Sequence, residues 1–167
     1  MKKHTLSVLV ENKAGVLTRV TNLFSRRGYN IDSLAVGETE NPTVSRITLT
    51  TGAEDHLIKQ IMKLLYQIPD VISARHLLPD EYFSRELVFV KVKAEPSVRA
   101  EIGQIVDIFR GHIVDLSPSC LTIEITGNDN KLKALGRMLE PYGVLELVRT
   151  GIIAIERGEQ IMEVEKS

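Results

Sequence analysis

An α+β chain made of two tandem βαββαβ units is what the sequence predicts, and three observations carry the prediction. Short runs with alternating apolar residues are interleaved with longer runs of helical period. The order strand, helix, strand, strand, helix, strand occurs twice. Residues echo across the halves as well: Leu23-Phe24-Ser25-Arg26-Arg27-Gly28 returns as Ile108-Phe109-Arg110-Gly111, and Thr51-Gly52-Ala53-Glu54 as Thr126-Gly127-Asn128-Asp129. At 167 residues the chain has room for two small domains.

Thr5 to Val10 reads as a strand with Leu6, Val8 and Val10 on one face. A polar turn carrying Gly15 leads into a helix from Val16 to Arg27, whose Val16, Leu17, Val20, Leu23 and Phe24 form one buried stripe. Gly28 supplies its left-handed stop. Asn30–Gly37 and Val44–Thr51 are strands joined by a polar loop. Glu54–Gln67 is a helix with Leu57, Ile61, Leu64, Leu65 and Ile68 inward, broken by Pro69-Asp70 ahead of the strand Val71–Leu78. The second unit repeats this: strand Glu86–Ala94, helix Ser97–Phe109 with Val98, Ile102, Val106 and Phe109 inward, strands His112–Leu116 and Cys120–Thr126, helix Asn128–Leu139, and strand Val144–Ile155 with a bend at Gly151. The expected domains are residues 1–79 and 86–158, with a linker at 80–85 and a charged, fraying tail at 159–167.

Composition narrows the function. A net charge of −1 with both signs interspersed offers no attraction to nucleic acid or to an anionic membrane. No apolar run reaches the length of a membrane span, and the N-terminal residues lead into a strand and not a leader segment. One cysteine, Cys120, excludes an internal disulfide framework and fits a reducing cytoplasm. The histidines, His4, His56, His76 and His112, lack metal-ligand spacing, and no phosphate loop or nucleophile elbow is present. An acylphosphatase-like enzyme needs an arginine in the first strand–helix loop, where this chain has Lys13. An RNA-binding module needs aromatics on its central strands, and Val44–Thr51 has none. A stand-alone amino-acid sensor remains an open reading.

The two strand–helix turns differ. Glu11-Asn12-Lys13-Ala14-Gly15 can bring backbone N–H groups of a helix start close to a carboxylate. Its counterpart, Glu95-Pro96-Ser97, is shorter and has no glycine, so small-molecule sensing is expected in the first half. Taken alone, Gly15 is more often just a tight turn, and Asn12 reads also as a helix cap and Asn30 as a turn residue.

The runs Leu9 to Val20 (Leu-Val-Glu-Asn-Lys-Ala-Gly-Val-Leu-Thr-Arg-Val) and Arg26 to Leu34 (Arg-Arg-Gly-Tyr-Asn-Ile-Asp-Ser-Leu) resemble the ACT domain of the small, regulatory subunit of acetolactate synthase. The resemblance extends over the whole chain. It implies an N-terminal ACT domain followed by a second ferredoxin-like domain, a homodimer through the ACT domains, and a branched-chain amino acid, usually valine, bound at the dimer interface. It also implies no catalytic site here. The partner would be a separate catalytic subunit using thiamine diphosphate, a divalent metal (Mg) and FAD to condense 2-oxo acids on the route to valine, leucine and isoleucine. On this resemblance Ala14, Gly15, Val16 and Leu17 take the effector's carboxylate, Asn12 and Asn30 its ammonium and carboxylate, and Ile31 walls its isopropyl group. Such a site is expected to be shared, with Asn12 and Gly15 from one chain and Asn30 and Ile31 from the other.

Overall fold

In the computed structural model, which describes residues 2–164, the first βαββαβ pattern folds as Lys2–Glu11 (β1), Val16–Ser25 (α1), Ile31–Glu38 (β2), Val44–Ala53 (β3), Asp55–Tyr66 (α2) and Val71–Leu77 (β4). The antiparallel sheet runs β2-β3-β1-β4, so β2 and β4 are its edges. Leu6, Val8 and Val10 alternate onto one face, beside Ile47 and Leu49 from β3. There they meet Val16, Val20, Leu23 and Phe24 of α1 and Ile58, Ile61 and Leu65 of α2. Burying a side chain of this size contributes about 1.5–3 kcal/mol, and this stripe is what holds both helices on one face.

Two helix details depart from the sequence reading. Leu17 is 39% exposed, because it sits at the edge of the stripe next to the turn. Ile58 is buried instead, with Leu57 packed only partly against the core. The first helix stops as glycine dictates. Gly28 has φ +72, its N–H donates to Ser25 and the Tyr29 N–H donates to Phe24. That pair of bonds is a Schellman stop.

The second unit contains most of Tyr82–Lys93 (β5), then Arg99–Ile108 (α3), His112–Leu116 (β6), Cys120–Gly127 (β7), Asp129–Leu139 (α4), a 3-10 turn over Glu140–Tyr142, and Val144–Arg149 (β8). Its sheet runs β6-β7-β5-β8. Val88, Val90, Val92, Leu121, Ile123 and Ile125 meet Ile102, Val106, Leu135 and Leu139 of the helices. The stop of α3 is a Schellman pair too, from Arg110 to Asp107 and from Gly111 to Val106. Here Arg110 carries the positive φ, +58. The residue matching Gly28 is therefore Arg110, one place before the glycine that the sequence echo aligns with it. Gly111 answers to crowding: a Cβ there would lie 3.2 Å from the Glu124 carbonyl oxygen.

After β8 the chain leaves the second unit. Residues up to Phe83 and those from Gly151 onward make one compact body, and Ser84–Thr150 make the other. The strand expected over Val144–Ile155 ends at Arg149, and Ile153–Glu156 (β9) is a separate element of the first unit. Gly151 has φ +86, and a Cβ there would stand 2.7 Å from the Leu34 carbonyl oxygen. Glycine alone lets the chain turn this close to β2. The Ile152 N–H donates to Ser33 Oγ at 2.8 Å, Arg75 Nη1 reaches both Glu156 carboxylate oxygens at 3.0 and 3.1 Å, and Arg157 stacks over Phe83. The tail does not fray where it is described: Met162 is buried against Leu9 and Val44. Residues 165–167 lie outside the described part of the chain.

Candidate effector site

The turn that leads from β1 into α1 is held by backbone and charge. Glu11 N–H donates to Asp70, Asn12 N–H to Thr43 and Lys13 N–H back to Glu11. Gly15 then takes φ +86 and ψ −13, and α1 starts at Val16 without a side-chain cap. The Arg19 N–H closes the first helical bond on Gly15. The Val16 N–H has only a long contact, 3.5 Å, to the Lys13 carbonyl, and no partner for the Leu17 N–H occurs among the described residues. These are the orphan donors of a helix start, at the positive end of its dipole. Ala14 and Leu17 are exposed beside them, and Val16 is anchored in the core.

Glycine is required at position 15 by its backbone angle. The nearest atom to a Cβ there is Arg19 Nη1 at 3.4 Å, an ordinary approach. Arg19 is a residue of the turn that the sequence reading did not single out. Its position one helical turn after Gly15 is the signal that places it over the turn. It pairs with Asp70, and that guanidinium hydrogen bond holds the Asp70 carboxyl below its ordinary range. Lys13 pairs with Glu11 at 3.0 Å, which pushes its ammonium up. Two cations and two anions thus ring the turn, and the charge left for a ligand comes chiefly from the N–H groups.

Asn12 does not cap α1. Its amide donates to the Pro42 carbonyl at 3.0 Å and to Glu38 Oε1 at 3.3 Å, which ties the turn to the far end of β2 and leaves the side-chain carbonyl oxygen without a partner among the described residues. Asn30 lies elsewhere. Its amide donates to Asp32 Oδ1 at 3.0 Å, its backbone carbonyl accepts from Thr51 Oγ1 at 2.7 Å, and Ile31 is half-buried against the core. Strand β3 measures the separation: Glu11 is opposite Val44, and Ile31 is opposite Thr51. Seven residues of strand span roughly 23 Å at about 3.3 Å each. The chain therefore brings together Asn12, Ala14, Gly15, Val16 and Leu17, and holds Asn30 and Ile31 at the opposite end of the sheet.

Comparison with known proteins agrees with both units. The family described as "AHAS small subunit-like ACT domain" matches residues 6–73, and that described as "Small subunit of acetolactate synthase" matches residues 85–158. The acetolactate synthase small subunit of Mycolicibacterium smegmatis is 49% identical over 155 residues, 93% of this chain and 91% of that protein. That of Haemophilus influenzae is 42% identical over 159 residues, 95% of this chain and 98% of that protein. The chain belongs to the acetolactate synthase small-subunit family. The crystal structure of the small subunit from Thermotoga maritima superposes with a TM-score of 0.87 at 40% identity, over 96% of this chain and 100% of that one, so the two-unit fold is the family's own. Both halves of the candidate site fall within the ACT match. Residues 151–158 belong by sequence to the second match, although they pack on the first unit. Among the described residues no group of three or more His, Cys, Asp or Glu could hold a metal ion, and no helix is long and apolar enough to cross a membrane.

Proposed function

We propose that this chain, a small subunit of acetolactate synthase, binds valine between two copies of its ACT domain and so sets the activity of the catalytic subunit. The observation that carries the reading is the roughly 23 Å between the Gly15 turn and Ile31 along β3. One chain holds two half-sites that it cannot join. A second copy joins them if the β2 edges run antiparallel across a two-fold axis. Ile31 of one copy then lies beside Glu38 of the other, and Glu38 is the residue to which Asn12 is bonded.

In that arrangement valine's carboxylate docks on the N–H groups at Gly15–Leu17, and its ammonium meets the side-chain oxygen of Asn12. Asn30 of the partner has a second amide hydrogen to offer beyond the one given to Asp32. Ile31 of the partner covers the isopropyl group. An apolar wall discriminates by about 1–3 kcal/mol per methylene, so leucine and isoleucine bind more weakly without being excluded. The chemistry belongs to the catalytic subunit with its thiamine diphosphate, Mg and FAD. This chain contributes regulation, a coupling of typically about 1–3 kcal/mol.

Mixed dimers test the sharing. Asn12→Ala and Asn30→Ala homodimers bind valine poorly. A dimer with one chain of each carries both substitutions in one site and leaves the other intact, so about half the binding capacity returns. Calorimetric titration of valine into purified mixed dimers reads the stoichiometry, and zero recovery rules the shared site out. Gly15→Asp places a carboxylate in the anion position and removes feedback inhibition while the activation of the catalytic subunit persists.

A further inference from the structure

Strand β4, an edge of the first sheet, ends at a pocket of about 260 Å³. His76 and Leu78 line one side, Asp80 and Glu81 the turn that follows, and Arg157 and Gln160 the far wall. All six belong to the first unit. The order β2-β3-β1-β4 sets this edge opposite to β2, so the ACT pairing proposed above leaves it open. Tyr66 Oη donates to the Ala74 carbonyl at 2.7 Å and accepts from the Ala74 N–H at 3.2 Å. The backbone groups of Ala74 therefore point away from β1. Ala74 and His76 pair with Val8 and Leu6 in unbroken register, so alternation turns the N–H and C=O of His76 the same way. They face outward on an edge that no further strand covers.

The charges of the pocket do not cancel. Glu156 on its wall is already matched, since both carboxylate oxygens accept from Arg75 Nη1. Burial holds the His76 imidazole below its ordinary value, so it is uncharged at neutral pH. The Arg157 guanidinium lies 3.8 Å over the Phe83 ring. Neither it nor the carboxylates of Asp80 and Glu81 form an ion pair among the described residues. Two carboxylates against one guanidinium leave one negative charge uncompensated. No group of three or more His, Cys, Asp or Glu among the described residues could hold a metal ion, so the missing cation is an organic one.

We propose that this pocket binds one α-amino acid with a cationic side chain, such as lysine or arginine. The outward N–H and C=O of His76 suit the α-carboxylate and the α-ammonium, as a strand edge suits the backbone of a residue laid beside it. Arg157 adds a charge-assisted partner for the carboxylate, and one acidic side chain does so for the ammonium. The second carboxylate and the Gln160 amide oxygen take the side-chain cation, whose methylene stem covers the exposed Leu78. The volume, about 260 Å³, lies just under the roughly 300 Å³ at which ordinary ligand sites begin. That suits a single residue and not a longer peptide. Bound there, the amino acid ties the end of β4 to the segment that follows β9.

Calorimetric titration of L-lysine and L-arginine into the full-length chain tests this. At least one of them binds with one site per chain. Norleucine, which lacks the side-chain ammonium, and cadaverine, which lacks the carboxylate, each bind at least tenfold more weakly. Asp80 has φ +67, a left-handed backbone that asparagine also tolerates. Asp80→Asn therefore removes a charge without straining the turn, and it weakens binding at least tenfold. Gly15→Asp leaves this binding unchanged. Trypsin cleavage at Arg157 is slowed by the bound amino acid in the parent and not in Asp80→Asn. Binding of neither amino acid, or equal binding of norleucine or cadaverine, overturns the proposal. So does binding lost in Gly15→Asp and kept in Asp80→Asn, which would move the ligand to the effector turn.

Discussion

Matching the strand irregularities of the two units, between Leu9 and Val10 in β1 and between Lys91 and Val92 in β5, aligns Ser7 with Phe89 on the faces turned away from the helices. The contrast between these positions inverts the usual rule of apolar inside and polar outside. Ser7 is fully buried with its hydroxyl unpartnered among the described residues, amid Thr5, Thr48 and Thr50, which are buried too. Phe89 is two-fifths exposed beside Val148. Where this face is hydroxyls it holds its cover by discrete ties, which the return segment supplies at Arg46, Arg75 and Ser33, and by burial only at Leu9 and Val44, where Met162 packs. A face centred on a phenyl ring needs no such ties, only a flat apolar counterpart. The same fold thus keeps one second face for its own chain and offers the other outward.

Removing the return of the chain breaks that contrast most. Gly151→Ala forces a Cβ against the Leu34 carbonyl oxygen and places alanine at φ +86. A left-handed residue costs about 1–2 kcal/mol and overpacking about 1–3, so the first unit loses about 3 kcal/mol. Urea unfolding reads the loss directly. Trypsin cleavage at Arg157, whose N–H is otherwise held on the Glu81 carbonyl, should accelerate alongside. A variant as stable as the parent would show that the segment does not depend on this close approach.

Very little of the return segment was legible in the sequence, for a physical reason. Val144 to Ile155 is rich enough in Val, Leu and Ile to read as one strand, and a bend at Gly151 looks the same whether the chain continues beside its neighbours or ends one strand and starts another. What distinguishes the two is the Leu34 carbonyl, more than a hundred residues earlier. The βαββαβ orders were legible because each stripe and each breaker is local: Gly28 stops α1 and Pro69 ends α2 without tertiary help. The candidate site was legible in part. The φ demanded at Gly15 and the run around Asn30 could be read, and the tie between Asn12 and Glu38 could not, since it joins a turn to a strand end across the sheet.

Met162→Ala sharpens the comparison by thinning the cover while leaving its turn intact. Met162 is 8% exposed in a small cluster with Leu9 and Val44. Truncating a buried methionine costs about 2–5 kcal/mol in a full core. With so few neighbours the low end applies, about 2 kcal/mol, again read from the urea midpoint. No change would place the end of the chain outside the fold in solution.

The smallest effect compares two polar pairs that the same alignment superposes, His4 and His76 in the first unit with Glu86 and Arg149 in the second. His4 Nε2 carries a proton, because it donates to the Ala53 carbonyl at 2.9 Å. When neutral, its Nδ1 is bare and accepts from His76 Nε2 at 3.0 Å. Asp55 stands 3.5 Å from His4 and Lys2 3.8 Å from Asp55. Burial first, and then the His4 charge, push the His76 imidazole below its ordinary value, against a smaller opposing pull from Asp55. The folded state therefore binds fewer protons than the unfolded chain below about pH 6.5. The stability that His76 contributes is complete above that pH and declines as pH falls through its depressed folded value. At the matching position of the second unit, buried Glu86 faces the Arg149 guanidinium at 3.8 Å. His76→Gln keeps a donor for His4 Nδ1 and removes the titration. Its urea midpoint should change less between pH 7.5 and 5.5 than the parent's, a difference smaller than the effect of either substitution above. Identical pH profiles for the two proteins would mean that the histidine pair does not set the acid limit of the first unit.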